Sequence, residues 1–150
     1  METFEDKLAI LQEDMISIAL EYSDDKADKV YLFASHENNS FYFNVFFKIG
    51  KSYYKKHQLK EFQVDTSIKR QSQLVDIALN DFIKICEAFS DNNREVPTQL
   101  KIIYDHKNQK ASGKFSYNLH YSNSDVLTAD DIFEQWYNEV KEEVESSRKI

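Results

Sequence analysis

The chain has 150 residues, a formal net charge of −7 at pH 7 and a hydrophobic share of 41%. This composition supports a folded core, argues against general disorder, and fits one domain over residues 1–150. No apolar run approaches the ~20 residues of a membrane span. The acidic run Met1–Asp6 lacks the basic start of a secretory signal.

The numbers of cysteines and glycines exclude an internal disulfide and glycine-rich nucleotide-binding motifs. Cys86 is the single cysteine, so an internal disulfide is excluded and a reducing cytoplasm is the expected compartment. Gly50 and Gly113 are the only glycines, which excludes phosphate-binding loops that need several glycines in a short window.

Charge is unevenly distributed along the chain. Residues 1–28 carry nine acids and two bases, residues 29–124 nine acids and fourteen bases, and residues 125–150 eight acids and three bases. Acidic ends argue against nucleic acid as a direct ligand, because phosphate binding depends on Lys and Arg. They are compatible with a basic protein partner, although solubility alone explains the same distribution.

The first predicted helix runs from about Thr3 to Tyr22. Apolar residues recur there at spacings of three and four, which is typical of a helix that covers a sheet. The stripe consists of Phe4, Leu8, Leu11, Met15, Ile18 and Tyr22. The same spacing could make a coiled coil, but the run is shorter than three heptads.

Three strands are predicted next, and short turns between them indicate antiparallel pairing. The strands are Lys29 to Ser35, Phe41 to Ile49, and an expected edge strand, Ser52 to Lys56. One face of the second strand is apolar throughout. The opposite face of the first two strands is unusually aromatic, with Tyr31, Phe33, Tyr42 and Phe46. Either a helix covers this aromatic face or it is a surface for a partner.

A connector from Leu59 to Val64 leads to a long helix that Asp65, Thr66 or Ser67 can cap and that reaches about Phe89. We expect this helix to be the one most deeply packed against the sheet. Its apolar set is Ile68, Val75, Ala78, Leu79, Phe82, Ile85, Cys86 and Phe89, widened by Ile77 and Ile83. The polar run Ser90–Glu95, followed by Pro97, ends it.

A fourth strand is predicted at Gln99–Tyr104, and the polar turn Asp105–Lys110 separates it from a fifth at Lys114–Tyr121. In the fifth strand, apolar and polar residues alternate as they do in a half-buried strand. The apolar positions are Phe115, Tyr117, Leu119 and Tyr121.

The last predicted helix starts at Thr128, where Asp131 can complete the N-cap. Its apolar stripe consists of Ala129, Ile132, Phe133, Trp136, Tyr137, Val140 and Val144. The order of elements is therefore helix, three strands, helix, two strands, helix. This order predicts an α+β fold with a single antiparallel sheet of about five strands and three helices.

Two patches of the sequence match segments of a known family. The C-terminal patch comprises Pro97-Thr98, Lys101-Ile102-Ile103-Tyr104-Asp105, Phe115-Ser116-Tyr117, Tyr121-Ser122-Asn123, Thr128-Ala129-Asp130-Asp131-Ile132 and Trp136. In the other patch, Lys29–Ala34 is similar to a segment like KVYLYA that follows an N-terminal helix. Both patches resemble YezG-like immunity proteins. The chain departs from the family at Ala27-Asp28, where members often have Glu-Trp, and at Val96-Pro97-Thr98, where many have Pro-Trp-Thr.

The resemblance implies a small, soluble, non-catalytic bacterial protein. Such proteins are made beside LXG-type toxins of type VII secretion, which are often nucleases, and neutralise the toxin in the producing cell. The family supplies no catalytic residues to transfer. The departures leave the identity of the bound toxin open.

No group of residues in the sequence has the spacing of a catalytic or metal motif. The histidines are scattered and are interpreted as surface residues: His36, His57, His106 and His120. Cys86 lies inside an apolar stripe, where an inert buried thiol is expected. Helix capping explains Asp130 and Asp131 without an acid–base role. We therefore expect no enzyme activity, no cofactor and no metal.

Two functions follow from these observations. In the first, an immunity protein binds a toxin domain through exposed acids and outward aromatics: Tyr31, Tyr42, Glu134, Glu139, Glu142 and Glu143. In the second, a small-molecule-binding or catalytic α+β domain uses a pocket between sheet and helix, around Tyr104, Tyr117 and His120. Nucleic acid and membranes are not expected partners, and self-association stays open.

Overall fold

A computed structural model describes residues 2–148, with side chains described through residue 143. Its elements are α1 (Phe4–Tyr22), β1 (Lys29–Glu37), β2 (Ser40–Ile49), β3 (Ser52–Lys55), a short 3-10 helix (Lys56–Phe62), α2 (Ile68–Asp91), β4 (Gln99–Asp105), β5 (Lys110–Ser116) and α3 (Ala129–Arg148). The predicted α+β fold is confirmed, and the 3-10 helix is an addition to it. Within residues 2–148, no helix has the length and apolar content needed to cross a membrane.

All five strands belong to one antiparallel sheet in the order β3-β2-β1-β4-β5. β1 lies at its centre, where Tyr31 is opposite Phe46 on one side and Ile103 on the other. The β1–β2 turn has two residues of positive φ, Asn38 at 51° and Asn39 at 60°. Asparagine tolerates this left-handed conformation, so the tight hairpin forms without the glycine that such turns often use.

Capping side chains fix the starts of the three α-helices. Thr3 and Asp6 form a capping box at α1, and Ser67 caps α2 by accepting a hydrogen bond from the Arg70 N–H. At α3, the Thr128 hydroxyl oxygen accepts a hydrogen bond from the Asp131 N–H, and the Asp131 carboxylate accepts one from the Thr128 N–H, which confirms the predicted cap. These contacts satisfy N–H groups that the first helical turn leaves without partners.

α1 and α2 cover one face of the sheet. They run antiparallel, because Phe4 at the start of α1 contacts Phe89 near the end of α2, while Tyr22 at the end of α1 meets Arg70 near the start. The core between them and the sheet includes Met15, Ala19, Leu32, Val45, Phe47, Phe82 and Ile85. Two predicted members of the α2 stripe are wrong. Ile68 is 84% exposed, since it occupies the first helical position, beyond the core, and Ile77, predicted to widen the stripe, is 41% exposed.

α3 covers the aromatic face, which decides between the two alternatives left open for that face. The buried residues of this layer are Tyr31, Phe33, Phe46, Phe133, Trp136 and Tyr137, and we refer to them as the α3 seam. Phe46 lies at its centre, with its ring centroid 5.2 Å from that of Trp136 and 5.1 Å from that of Tyr137. The predicted place of Val144 in the α3 stripe lies outside the described side chains.

The predicted fifth strand is misplaced along the sequence. β5 begins at Lys110 rather than Lys114, because Asp105 pairs directly with Lys110 across a tight turn. It ends at Ser116 rather than Tyr121, and Tyr117 and Leu119 are exposed in a loop. The hydroxyl of Thr98 donates to the carbonyl oxygens of Ser116 and Asn118, which draws the chain away from the strand path.

Candidate partner-binding surface

Tyr31, a predicted contact residue, lies beneath α3. Its ring stacks on Phe46 with 4.5 Å between centroids and meets Trp136 edge-on at 5.8 Å. Only 5% of the residue is exposed, and burial raises the pKa of its hydroxyl. The expectation that Tyr31 lies on an accessible sheet face is therefore corrected, because α3 occupies that position.

Tyr42, the second predicted aromatic contact, is half-buried at the start of α3. Its hydroxyl donates to Asp130 Oδ1 at 2.7 Å and accepts from Asn44 Nδ2 at 3.0 Å. Asn44 Oδ1 accepts in turn from Lys56 Nζ at 2.9 Å. Burial is the largest cause of both the raised pKa of Tyr42 and the lowered pKa of Lys56. This chain of hydrogen bonds fastens the first turn of α3 to β2.

The predicted acids of α3 divide into one ion-paired residue and an exposed group. Glu134 and Lys55 Nζ are 2.6 Å apart, and both side chains are partly buried. Glu139, Glu142 and Glu143 are exposed on α3. The exposed group gives this helix a negative surface that a basic protein could approach.

Residues 117–128 form a loop that one buried carboxylate holds against β1. Glu37 is 3% exposed and accepts hydrogen bonds from the His120 N–H at 2.9 Å and the Ser122 N–H at 3.0 Å. The Ser122 hydroxyl adds a third at 2.7 Å, and the Tyr121 N–H a longer one at 3.4 Å. Burial acts to raise the pKa of Glu37, but these hydrogen bonds outweigh it and leave the pKa below its usual value.

The residues of the alternative pocket are not brought together. Tyr104 lies opposite Ala111 at one end of β4, whereas His120 binds Ser116, which lies opposite Gln99 at the other end. Five residues of extended strand separate these ends by about 16 Å. Glu37 accepts from the backbone N–H of His120 rather than from its ring. Ser116, His120 and Glu37 therefore lack the geometry of a catalytic triad.

Among the described side chains, those of residues 2–143, no three or more His, Cys, Asp or Glu lie close enough together to hold a metal ion. Cys86 is buried, and burial raises the pKa of its thiol to about 12. A thiol with that pKa is almost never in the reactive thiolate form at neutral pH.

The contact between α1 and α2 contains two facing carboxyl groups, Asp14 and Asp81, which we refer to as the acid pair. Asp81 is 6% exposed, and its Oδ2 atom is buried with no hydrogen-bond partner. The charged groups facing it are Asp14 on α1 and Lys84 one turn along α2. Burial, followed by the proximity of Asp14, raises the pKa of Asp81 to about 7. Asp81 therefore keeps its proton to a higher pH than an ordinary aspartic acid does.

Exposed apolar side chains surround the acid pair. Ile10 lies one turn before Asp14 on α1, Ile77 lies one turn before Asp81 on α2, and both are more than 40% exposed. A groove of about 310 Å³ lies between the helices, and its lining begins one helical turn from the pair, at Ile18 and Ile77. Its lining is Ile18, Glu21, Tyr22, Arg70, Gln73, Leu74 and Ile77. The surface thus combines apolar contact area with buried and exposed negative charge.

The sequence analysis did not identify the acid pair, although the sequence contains a signal for it. Asp81 lies between Ala78 and Phe82, both buried in α2, so an acid occupies the apolar face of an otherwise amphipathic helix. Its partner on α1 could not be inferred, because the register between two helices depends on how both pack against the sheet.

Known proteins add no family assignment to this geometry. A scan against models of protein families and a search of curated proteins both found no match to the chain.

Proposed function

We propose that this protein is an immunity protein that binds an LXG-type toxin, a nuclease in our proposal, and neutralises it in the producing cell by protein–protein contact. The resemblance of Lys29–Ala34 and of the segments between Pro97 and Trp136 to YezG-like proteins supports this role. As in that family, the segment Lys29–Ala34 follows an N-terminal helix, because β1 comes directly after α1.

The observation that carries the proposal is the acidic charge on helices that cover opposite faces of the sheet. α1 presents exposed acids that include Glu13, Asp14 and Glu21, and α3 presents Glu139 and Glu142. A nuclease must bind a polyanion and therefore has a basic substrate surface. Acidic helices complement such a surface and raise the rate of association with it.

Co-expression tests this role directly. The probe is the C-terminal toxin domain of the LXG protein encoded beside this gene, expressed in a heterologous bacterium with and without the immunity protein. We expect growth to be restored and a stoichiometric complex to be recovered by size-exclusion chromatography. Equal growth arrest in both strains, with the immunity protein present in soluble form, would contradict the proposal.

A charge variant tests whether the exposed acids of α3 raise the rate of association with the toxin domain. Replacing Glu139 and Glu142 by Lys reverses two exposed charges of α3 without altering its buried face. We expect the variant to associate more slowly with the toxin domain at low salt, and the difference to shrink at high salt. The matched control reverses Glu61 and Glu95, exposed acids outside α1 and α3, and should leave the association rate close to that of the wild type.

A further inference from the structure

The acid pair contains a buried oxygen atom, Asp81 Oδ2, to which no group in the described part of the fold donates a hydrogen bond. A buried carboxylate oxygen without a hydrogen-bond partner destabilises a protein, and a second carboxyl group facing it adds repulsion once both ionise. Lys84, the nearest cation, lies on α2 itself, and Asp81 Oδ2 still has no hydrogen-bond donor. The free protein compensates by keeping Asp81 protonated to a higher pH than an ordinary aspartic acid.

We propose that the acid pair is the receptor for an arginine side chain of the toxin, which enters between α1 and α2 in the complex. This inference rests on the proposed function and adds to it the surface and the chemical group that are recognised. A guanidinium has several N–H donors in a fixed plane and can bridge two carboxylates at once. Asp14, which is exposed, provides the point of first contact.

The surroundings of the pair fit the apolar stem of that side chain. Ile18 and Ile77 line the adjoining groove, so the methylene groups of an arginine can pack on them while the guanidinium reaches the carboxylates. Arg70, at the far end of the groove, is already engaged: it donates to the carbonyl oxygen of Glu21 at 3.0 Å and lies 3.9 Å from Asp24 Oδ1. Its charge is therefore partly compensated before the toxin binds.

Binding changes the protonation of the pair. Before binding, Asp81 holds a proton; afterwards the guanidinium supplies the positive charge and the proton leaves to solvent. Below neutral pH the complex therefore forms with net proton release. Its affinity rises with pH up to the point at which the free pair is already ionised.

Calorimetric titration with the catalytically inactivated toxin domain tests the inference. We compare the wild type with Asp14→Asn, Asp81→Asn and the double variant, in phosphate and in imidazole at pH 6.5. We expect the wild type to release about one proton on binding, seen as a buffer-dependent enthalpy. The double variant should release none and should bind at least tenfold more weakly.

Two further measurements separate this role from a structural one. Asp81→Asn should melt at a higher temperature than the wild type, so weaker binding would not reflect unfolding. Asp91→Asn, an exposed acid at the end of α2, is the matched control and should change neither affinity nor proton release. If the wild type and the double variant bind the toxin domain within twofold, the inference is overturned while the proposed function stands. If the wild type forms no complex, both fail.

Discussion

The two helical layers differ in whether their polar side chains have hydrogen-bond partners. Where α3 meets the sheet, three hydrogen bonds or ion pairs satisfy polar groups at the edge of the aromatic layer: Tyr42 binds Asp130, Lys55 binds Glu134, and the Tyr137 hydroxyl donates to the Tyr53 carbonyl at 3.1 Å. Where α1 meets α2, the Asp81 carboxyl has an oxygen with no hydrogen-bond partner and faces a like-charged group.

This difference suggests separate roles: the contacts of α3 stabilise the fold, whereas the α1–α2 contact keeps a destabilising polar group. Polar groups that are satisfied inside the fold have little further to offer a partner, because any new contact must first break an existing one. An unsatisfied buried group gains when a donor arrives. By this criterion α3 is mainly structural on its inner side, and the α1–α2 contact is the place where binding is expected to matter.

The largest expected effect comes from breaking the α3 seam. Phe46 is fully buried and touches both Trp136 and Tyr137, so Phe46→Ala should cost about 3–5 kcal/mol of the free energy of unfolding. Urea unfolding measures this, and the fluorescence of Trp136, the single tryptophan, reports on α3 directly. Ile68→Ala, at an 84% exposed site, is the control and should change stability by less than about 0.5 kcal/mol. A similar loss in both variants would contradict the described packing.

A smaller effect is expected at the buried carboxylate that holds the loop. Glu37→Gln keeps the size of the side chain but replaces a charged acceptor of several N–H and O–H groups with a neutral amide. We expect a loss of about 1–3 kcal/mol and faster hydrogen exchange at the amides of His120 and Ser122. Unchanged exchange at these amides would show that Glu37 does not hold the loop.

The pH dependence of stability at Glu37 has a definite sign. Because its pKa is lower in the folded protein than in the unfolded chain, its contribution is present at neutral pH and is lost as pH falls through the folded pKa. The difference in stability between wild type and Glu37→Gln should therefore shrink in acid. A constant difference down to pH 3 would contradict this.

Asp81→Asn tests the α1–α2 contact. Because it removes an unsatisfied buried acid, it should stabilise the protein, whereas the substitutions at Phe46 and Glu37 should destabilise it. The pKa of Asp81 is raised from 3.8 to about 7, so the folded state holds the proton more tightly than the unfolded chain. The contribution of Asp81 to the free energy of unfolding of the wild type therefore falls as pH rises from about 4 to about 7. At pH 8 we expect the variant to be about 1–3 kcal/mol more stable, and at pH 4 nearly equal. Destabilisation at pH 8 would show that the carboxylate is satisfied in the fold.

The smallest effect is expected for the ion pair of α3 with β3. Glu134→Gln removes the attraction to Lys55, but both side chains are partly exposed, so the loss should be about 0.5 kcal/mol. The loss should disappear in 1 M salt, because salt screens charges at the surface. A loss that persists in high salt would indicate that Glu134 contributes through packing.

The fold could be predicted from the sequence because its helices and strands have clear apolar periods. The spacing of Phe4 to Tyr22 and the alternation from Phe41 to Ile49 correspond to faces that the structure buries, apart from partly exposed ends. The fifth strand could not be placed correctly, since Tyr117 and Leu119 also alternate with polar residues. What ends the strand is a set of long-range hydrogen bonds to Thr98 and Glu37, which no local pattern reveals.

The candidate surface was only partly predictable, for a different reason. Local charge identifies Glu139, Glu142 and Glu143 as exposed acids of α3, and the structure agrees. Whether Tyr31 is accessible depends on where a helix almost one hundred residues later packs. The acid pair depends on the relative position of two helices, so its two members, Asp14 and Asp81, are ordinary acids when each is considered alone.

The most direct test of the contrast is the carboxyl carbon chemical shift of Asp81, followed by NMR from pH 4 to 9 in the free protein and in the toxin complex. We expect a midpoint near 7 in the free protein, because the carboxyl is buried against Asp14. In the complex the midpoint should fall well below that value, since a guanidinium favours the ionised form. A midpoint near 4 in the free protein, or no change in the complex, would contradict the account.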